Sequence, residues 1–151
     1  MLDALALEGV DIASLVPHQG AMCLWQRVVA ADADSVTVST TTHRDFNHVL
    51  RSQGQLRALH LCEYGAQAMA VHGGLLARVS STPVRPGFLV ALRGVRLHVQ
   101  RIDDLPGALI GHATLLMQAE DSQQYVFRIE HDGRVLAEGR AAVMLQAQSP
   151  R

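Results

Sequence analysis

The chain has 151 residues and a formal net charge of −1, with 13 Lys and Arg set against 14 Asp and Glu. Hydrophobic residues make up 48% of it and charged residues 18%, which excludes a disordered chain or a polyelectrolyte and allows one domain, residues 1–151, with a real core. The near-neutral balance leaves no electrostatic footprint for nucleic acid or an anionic membrane, so neither is expected as a partner.

Along the chain, the first ten residues suggest a loose helix, and Ile12 to Leu15 is a short apolar patch ended by Pro17. Cys23 and Cys62 lie far apart and form no Cys-x-x-Cys pair, while Asp3 and Glu8 interrupt any apolar leader. A reduced, cytoplasmic setting is the expectation. Leu24 to Ala30 reads as a strand, Asp32-Ala33-Asp34 as a turn, and the β-branched alternation from Ser35 to Thr42 as a second strand paired to the first. His43 to Gln53 has no apolar period and is expected to be a loop.

Helical spacing of Leu59, Cys62, Ala66, Met69 and Ala70 predicts a helix from Gln55 to Arg78, weakened near its end by Gly73-Gly74. Glu63, Gln67, His60, His72 and three glycines in its apolar stretch argue against a membrane span. After a loop over Ser80 to Gly87 the period changes to two. Val95, Leu97 and Val99 alternate with polar residues, Asp103 to Gly107 is a turn, and Leu109 to Gln118 is a strand. Tyr125 to Glu130 alternates again, Asp132-Gly133 is a two-residue hairpin signal, and Val135 to Leu145 forms the last strand before a frayed tail. Two strands, one long helix and four strands in a meander predict an α+β fold with the helix against a curled antiparallel sheet of about six strands. The helix is apolar nearly all round, so a second subunit is expected to cover what one sheet leaves open.

Between Arg57 and Arg78 the only Asp, Glu, Lys or Arg is Glu63. A carboxylate in apolar surroundings favours its protonated form and suits general-acid work, and lone acids in such helices are enriched at functional sites. Gln67, four residues on, shares its face and is placed to hold one carboxyl oxygen. The nearest candidate for a complementary base is His48, in the polar loop before the helix. A loop histidine and an acid inside the following helix suit removal of a proton and a hydroxyl from adjacent carbons.

These residues resemble a family. Cys62-Glu63-Tyr64-Gly65-Ala66-Gln67-Ala68 is similar to the Leu-Glu-Ala-Met-Ala-Gln-Ala stretch of the hotdog-fold 3-hydroxyacyl-acyl carrier protein dehydratases. Val16-Pro17-His18, then Met22-Cys23-Leu24 and Arg27-Val28, looks like their early Leu-Pro-His segment, and the spacing from His48 to Glu63 is within a residue of theirs. The closer likeness is to the divergent branch of aryl polyene clusters, which carries Asn-His-Pro-Leu-Arg where this chain has Asn47-His48-Val49-Leu50-Arg51. The resemblance implies a hotdog fold and dehydration of 3-hydroxyacyl thioesters on acyl carrier protein or coenzyme A to trans-2-enoyl thioesters, with no cofactor. It implies His48 as the base at C2 and Glu63 as the acid at the 3-hydroxyl, supplied by opposite subunits of a homodimer or a hotdog heterodimer. By position, the N–H of Ala58 at the helix start would bind the thioester oxygen, where the family has glycine.

Two other readings compete. A hotdog thioesterase would use the helix acid to activate water and would need no His48. A non-catalytic hotdog subunit would complete another dehydratase, which the loss of proline at Val49 and of glycine at Ala58 favours. His18 sits in a turn and reads as structural, while His60 and His72 point away from the Glu63 face and read as packing or hydrogen-bonding residues. No His-x-x-x-His or Cys-x-x-Cys arrangement suggests a metal, and no Gly-x-Gly-x-x-Gly or Gly-x-Ser-x-Gly suggests a nucleotide or a serine nucleophile. Arg85, Arg93, Arg96 and Arg101 read as a solvated strand face, or as a surface for an acidic carrier protein.

Overall fold

The computed structural model describes Leu7 and residues 9–17, 20–83 and 85–146. Most of the expected N-terminal helix, the turn residues His18 and Gln19, and the tail beyond Gln146 lie outside the described residues.

The elements are β1 (Arg27–Ala31), β2 (Ser35–Thr40), α1 (Leu61–Val79), β3 (Gly87–Leu97), β4 (Leu109–Gln118), β5 (Ser122–His131) and β6 (Arg134–Leu145). The six strands form one antiparallel sheet in the order β1-β2-β4-β5-β6-β3. Local signals set both predicted hairpins. The Asp32 carboxylate accepts from the N–H groups of Asp34 and Ser35, each at 2.8 Å, and closes the β1–β2 turn. Asp132 and Gly133 take φ values of 48° and 77°, the paired left-handed residues that a two-residue turn between twisted strands requires.

The expected four-strand meander holds only for β4, β5 and β6. β3 pairs with β6 on the far side, so the chain crosses the sheet end between β3 and β4. That crossing is held from the helix side. Ala58 N–H donates to Gln100 O at 3.0 Å, and Ile102 N–H donates to Leu56 O at 2.9 Å. Asp103 accepts from Leu56 N–H at 2.9 Å and from the Arg101 guanidinium, which holds its carboxyl down at about 2. These bonds keep Leu56 and Arg57 extended, so the helix begins with a 3-10 turn at Ala58–His60 rather than at Gln55.

The helix packs over β2, β4 and β5 and approaches β6 little. Leu61, Tyr64, Ala68, Val71 and Leu75 point into the core at helical spacing. The Phe127 ring fills the gap between helix and sheet because Gly65 and Gly139 lack side chains. A Cβ on Gly65 would stand 2.5 Å from that ring, and one on Gly139 would stand 3.0 Å from it. On another side the N-terminal segment covers the helix, with Ile12, Leu15, Leu24 and Trp25 buried and Leu15 O pressed where a Gly74 Cβ would be. Gly74 is therefore a packing glycine, and the helix runs through Gly73-Gly74 to Val79.

Two glycines of one helix are thus expected to respond in opposite directions. Gly65→Ala overpacks the Phe127 contact and destabilises by about 1–3 kcal/mol. Gly73→Ala meets nothing within 4 Å and stabilises by about 0.5–1 kcal/mol. Denaturant unfolding of the two variants checks both signs.

Candidate active site

Three helix residues carry the polar groups around which the site is built. Gln67 is buried, and its Oε1 accepts from Leu24 N–H at 2.9 Å. Its Nε2 donates to Met22 O at 2.7 Å and to Glu63 Oε1 at 3.2 Å. The amide therefore ties the N-terminal segment to the helix and orients the half-buried Glu63. Glu63 lies at one end of a cleft of about 480 Å³ that follows the helix past Ala66, Met69, Ala70 and Gly73. Leu89, Tyr125 and Val143 of the sheet form the opposite wall, and Arg85, Gln118 and Gln123 are its main polar edges. Ala66, Ala70 and Gly73 are the small residues on the helix side of this groove.

Tyr64, one residue on and roughly 100° around the helix, faces inward instead. Its hydroxyl meets His48 Nε2 at 3.0 Å and Thr42 Oγ1 at 2.9 Å, and Thr42 Oγ1 donates to Leu24 O at 2.7 Å. The Trp25 indole N–H donates to Tyr64 O at 2.7 Å and the indole meets the phenol edge-on. Burial pushes the Tyr64 hydroxyl up to about 12. His48 is 8% exposed, its Nδ1 accepts from Leu50 N–H at 3.1 Å, and burial shifts it below the usual histidine range. Arg51 N–H donates to His48 O at 3.0 Å, so the turn forms with Val49 in the position where the divergent branch carries proline.

The structure therefore joins Glu63 to Gln67 and joins His48 to Tyr64. Glu63 lines the cleft and His48 does not. Ala58 stands at the helix start, and its N–H donates to Gln100 O. Tyr64 and Thr42 were not among the residues singled out from the sequence. The signal was present in helical spacing, which turns the residue after an inward- or cleft-facing acid toward a different neighbour. Of the four arginines, Arg85 pairs with Asp121 at 2.8 Å and Arg101 with Asp103. Arg93 and Arg96 stand exposed on β3, in register with Arg140 and Glu138. Among the described residues no group of three or more His, Cys, Asp or Glu side chains is placed to hold a metal.

The family described as ApeP dehydratase, the ApeP-like family, matches residues 10–150. The chain belongs to that dehydratase family. Among solved structures it is similar to the dehydratase heterocomplex ApeI:P from Xenorhabdus doucetiae, at 24% identity over 92% of this chain and 93% of that one, with a TM-score of 0.81. It is also similar to a hypothetical thioesterase with coenzyme A from Streptococcus pneumoniae, at 14% identity over 82% of this chain and 88% of that one, with a TM-score of 0.59. These likenesses show the hotdog fold. No curated protein matches the chain in sequence. No helix among the described residues is long and apolar enough to cross a membrane.

This dehydratase-family chain also buries two further histidines away from the cleft's acid. His72 donates from Nε2 to Asp32 O at 3.1 Å and accepts at Nδ1 from Tyr125 Oη at 2.8 Å. His43 donates from Nε2 to Leu105 O at 2.9 Å. Burial lowers the pKa of His43, His48 and His72. The unfolded chain then takes up protons that the folded chain refuses, so stability is full above about pH 6.5 and is lost as pH falls through the lower folded values. Melting temperatures read from about pH 8 to about pH 5.5 are expected to fall, and His72→Phe to flatten the fall. Gln67→Ala is expected to cost about 1–3 kcal/mol in denaturant unfolding, because it strands the buried Leu24 N–H and unties Met22 O from the helix.

Proposed function

We propose that this single hotdog domain dehydrates 3-hydroxyacyl thioesters, carried on acyl carrier protein or coenzyme A, to trans-2-enoyl thioesters in fatty-acid-like or polyene biosynthesis. The observation that carries the reading is Glu63, oriented by Gln67 at the end of an apolar cleft. His48 withdraws the C2 proton, and the electrons of that C–H bond form the C2=C3 double bond. The C3–O bond breaks as Glu63 protonates the departing hydroxyl, and water leaves. Burial keeps His48 neutral near pH 7, the state a base needs.

Within one chain His48 is engaged with Tyr64 and lies outside the cleft that Glu63 lines, which supports pairing of each with its complement on a second hotdog subunit. The sheet edges support the same arrangement. β1 is a five-residue edge, whereas β3 is an eleven-residue edge with Phe88, Leu89, Val90 and Leu92 all exposed. A long apolar edge left open invites another chain to pair with it. Arg93 and Arg96 on β3 are the two of the expected basic group that suit an acidic carrier. An amide at the helix start that binds the thioester oxygen must either leave Gln100 O or be a neighbour of Ala58.

The commitment of Ala58 N–H favours a second reading, in which this chain supplies only part of the site and turns over nothing by itself. The test uses purified chain, alone and mixed with a second hotdog dehydratase subunit, on 3-hydroxyacyl-carrier and 3-hydroxyacyl-N-acetylcysteamine substrates. Enoyl product is expected, with Glu63→Gln and His48→Ala each lowering kcat by about 100-fold or more. Turnover untouched by both changes defeats the assignment, and turnover only in the mixture selects the second reading. Release of free thiol in place of enoyl product would mark a thioesterase.

A further inference from the structure

We propose that Tyr64 is a positioning residue for His48, fixing the imidazole proton on Nε2 and so making Nδ1 the nitrogen that takes the substrate's proton. The inference rests on the assignment of His48 as base. It begins from four hydrogen bonds. Leu50 N–H can only donate, so the Nδ1 that receives it at 3.1 Å carries no proton. The neutral ring therefore holds its proton on Nε2, which lies 3.0 Å from Tyr64 Oη and donates to it. With Tyr64 Oη accepting from Nε2, the phenol's own proton goes to Thr42 Oγ1 at 2.9 Å, and Thr42 Oγ1 in turn lies 2.7 Å from Leu24 O, an acceptor it shares with Thr40 Oγ1.

The chain thus runs one way, from His48 Nε2 through Tyr64 and Thr42 to a main-chain carbonyl. Turning the imidazole over would place carbon atoms at both contact points and lose both bonds, so the ring orientation is set as well as the tautomer. Tyr64 is fully buried and its hydroxyl is anchored, so reversing this chain leaves at least one buried group without a partner.

The two ring nitrogens face different surroundings. Nε2 points inward at a phenol that no substrate reaches. Nδ1 points at the His48–Arg51 turn, whose Val49 is 48% exposed and whose neighbour Phe46 is 91% exposed beneath the Arg51 guanidinium. Only the Leu50 amide has to move for Nδ1 to become free. After abstraction the ring carries a proton on each nitrogen, with the Nε2–H still held by Tyr64. The Nδ1 proton is then returned through solvent to the carboxylate that Glu63 became on losing its own, and the cycle closes without any redox change.

The experiment is the long-range nitrogen–proton spectrum of the imidazole rings in full-length chain labelled at histidine, with His48→Gln identifying the resonance. The wild-type protein is expected to show His48 in the Nε2–H form. Tyr64→Phe keeps the ring that packs against Trp25 and removes the hydroxyl. It is expected to mix the two tautomers, to move the low-pH limb of the pH–rate profile, which the base governs, and to lower kcat by about 10-fold or more with KM changed by less than about twofold. Thr42→Val, which leaves the phenol in place, carries the same test if Tyr64→Phe does not fold. A wild-type His48 in the Nδ1–H form overturns the inference, as does a folded Tyr64→Phe with unchanged tautomer and pH profile. Failure of the dehydratase assignment reads out separately, as absence of enoyl product while the tautomer result stands.

Discussion

A helix buried over most of its circumference must satisfy each polar side chain it carries, and this constraint shapes the rest of the molecule. Gln67 spends all of its amide on Met22, Leu24 and Glu63, which brings the N-terminal segment across one side of the helix. Tyr64 needs partners for its hydroxyl and finds them in the segment after β2, so the loop with His48 is drawn inward. His72 does the same toward the β1–β2 turn and Tyr125. Each bond joins the helix to a different part of the chain, and burial makes each one costly to lose.

The same economy separates the two halves of the proposed chemistry. Glu63 and Tyr64 are neighbours in sequence, yet the helical turn between them sends one to an apolar cleft and the other to an interior hydrogen-bond chain. An acid at the cleft is accessible to substrate, and a histidine backed by a phenol is held still. The cleft lies between the helix and the β5-β6-β3 end of the sheet, where the helix approaches β6 and β3 little, and the open edge of β3 runs beside it.

The sequence carried the local parts of this picture clearly. Periodicity marked the helix and the strands, and Asp132-Gly133 announced its turn, because these signals depend on near neighbours. The position of β3 beside β6 did not show, since it follows from bonds between the helix start and residues Gln100 to Asp103, far along the chain. For the same reason the Ala58 amide read as free when Gln100 O occupies it. Glu63 with Gln67 was legible as an i, i+4 pair on one helix face. The link from Tyr64 to His48 was not, because nothing in a loop without period tells which way its histidine turns.

Phe127 has a consequence for how such a chain changes over generations. Its ring fits only because two positions in separate elements, Gly65 and Gly139, both carry hydrogen in place of a side chain. A methyl gained at either one is tolerated only after the ring has shrunk, and a smaller ring leaves a void that favours gaining methyls at both. The three sites therefore drift as one linked unit, and the distance between helix and sheet is inherited with them.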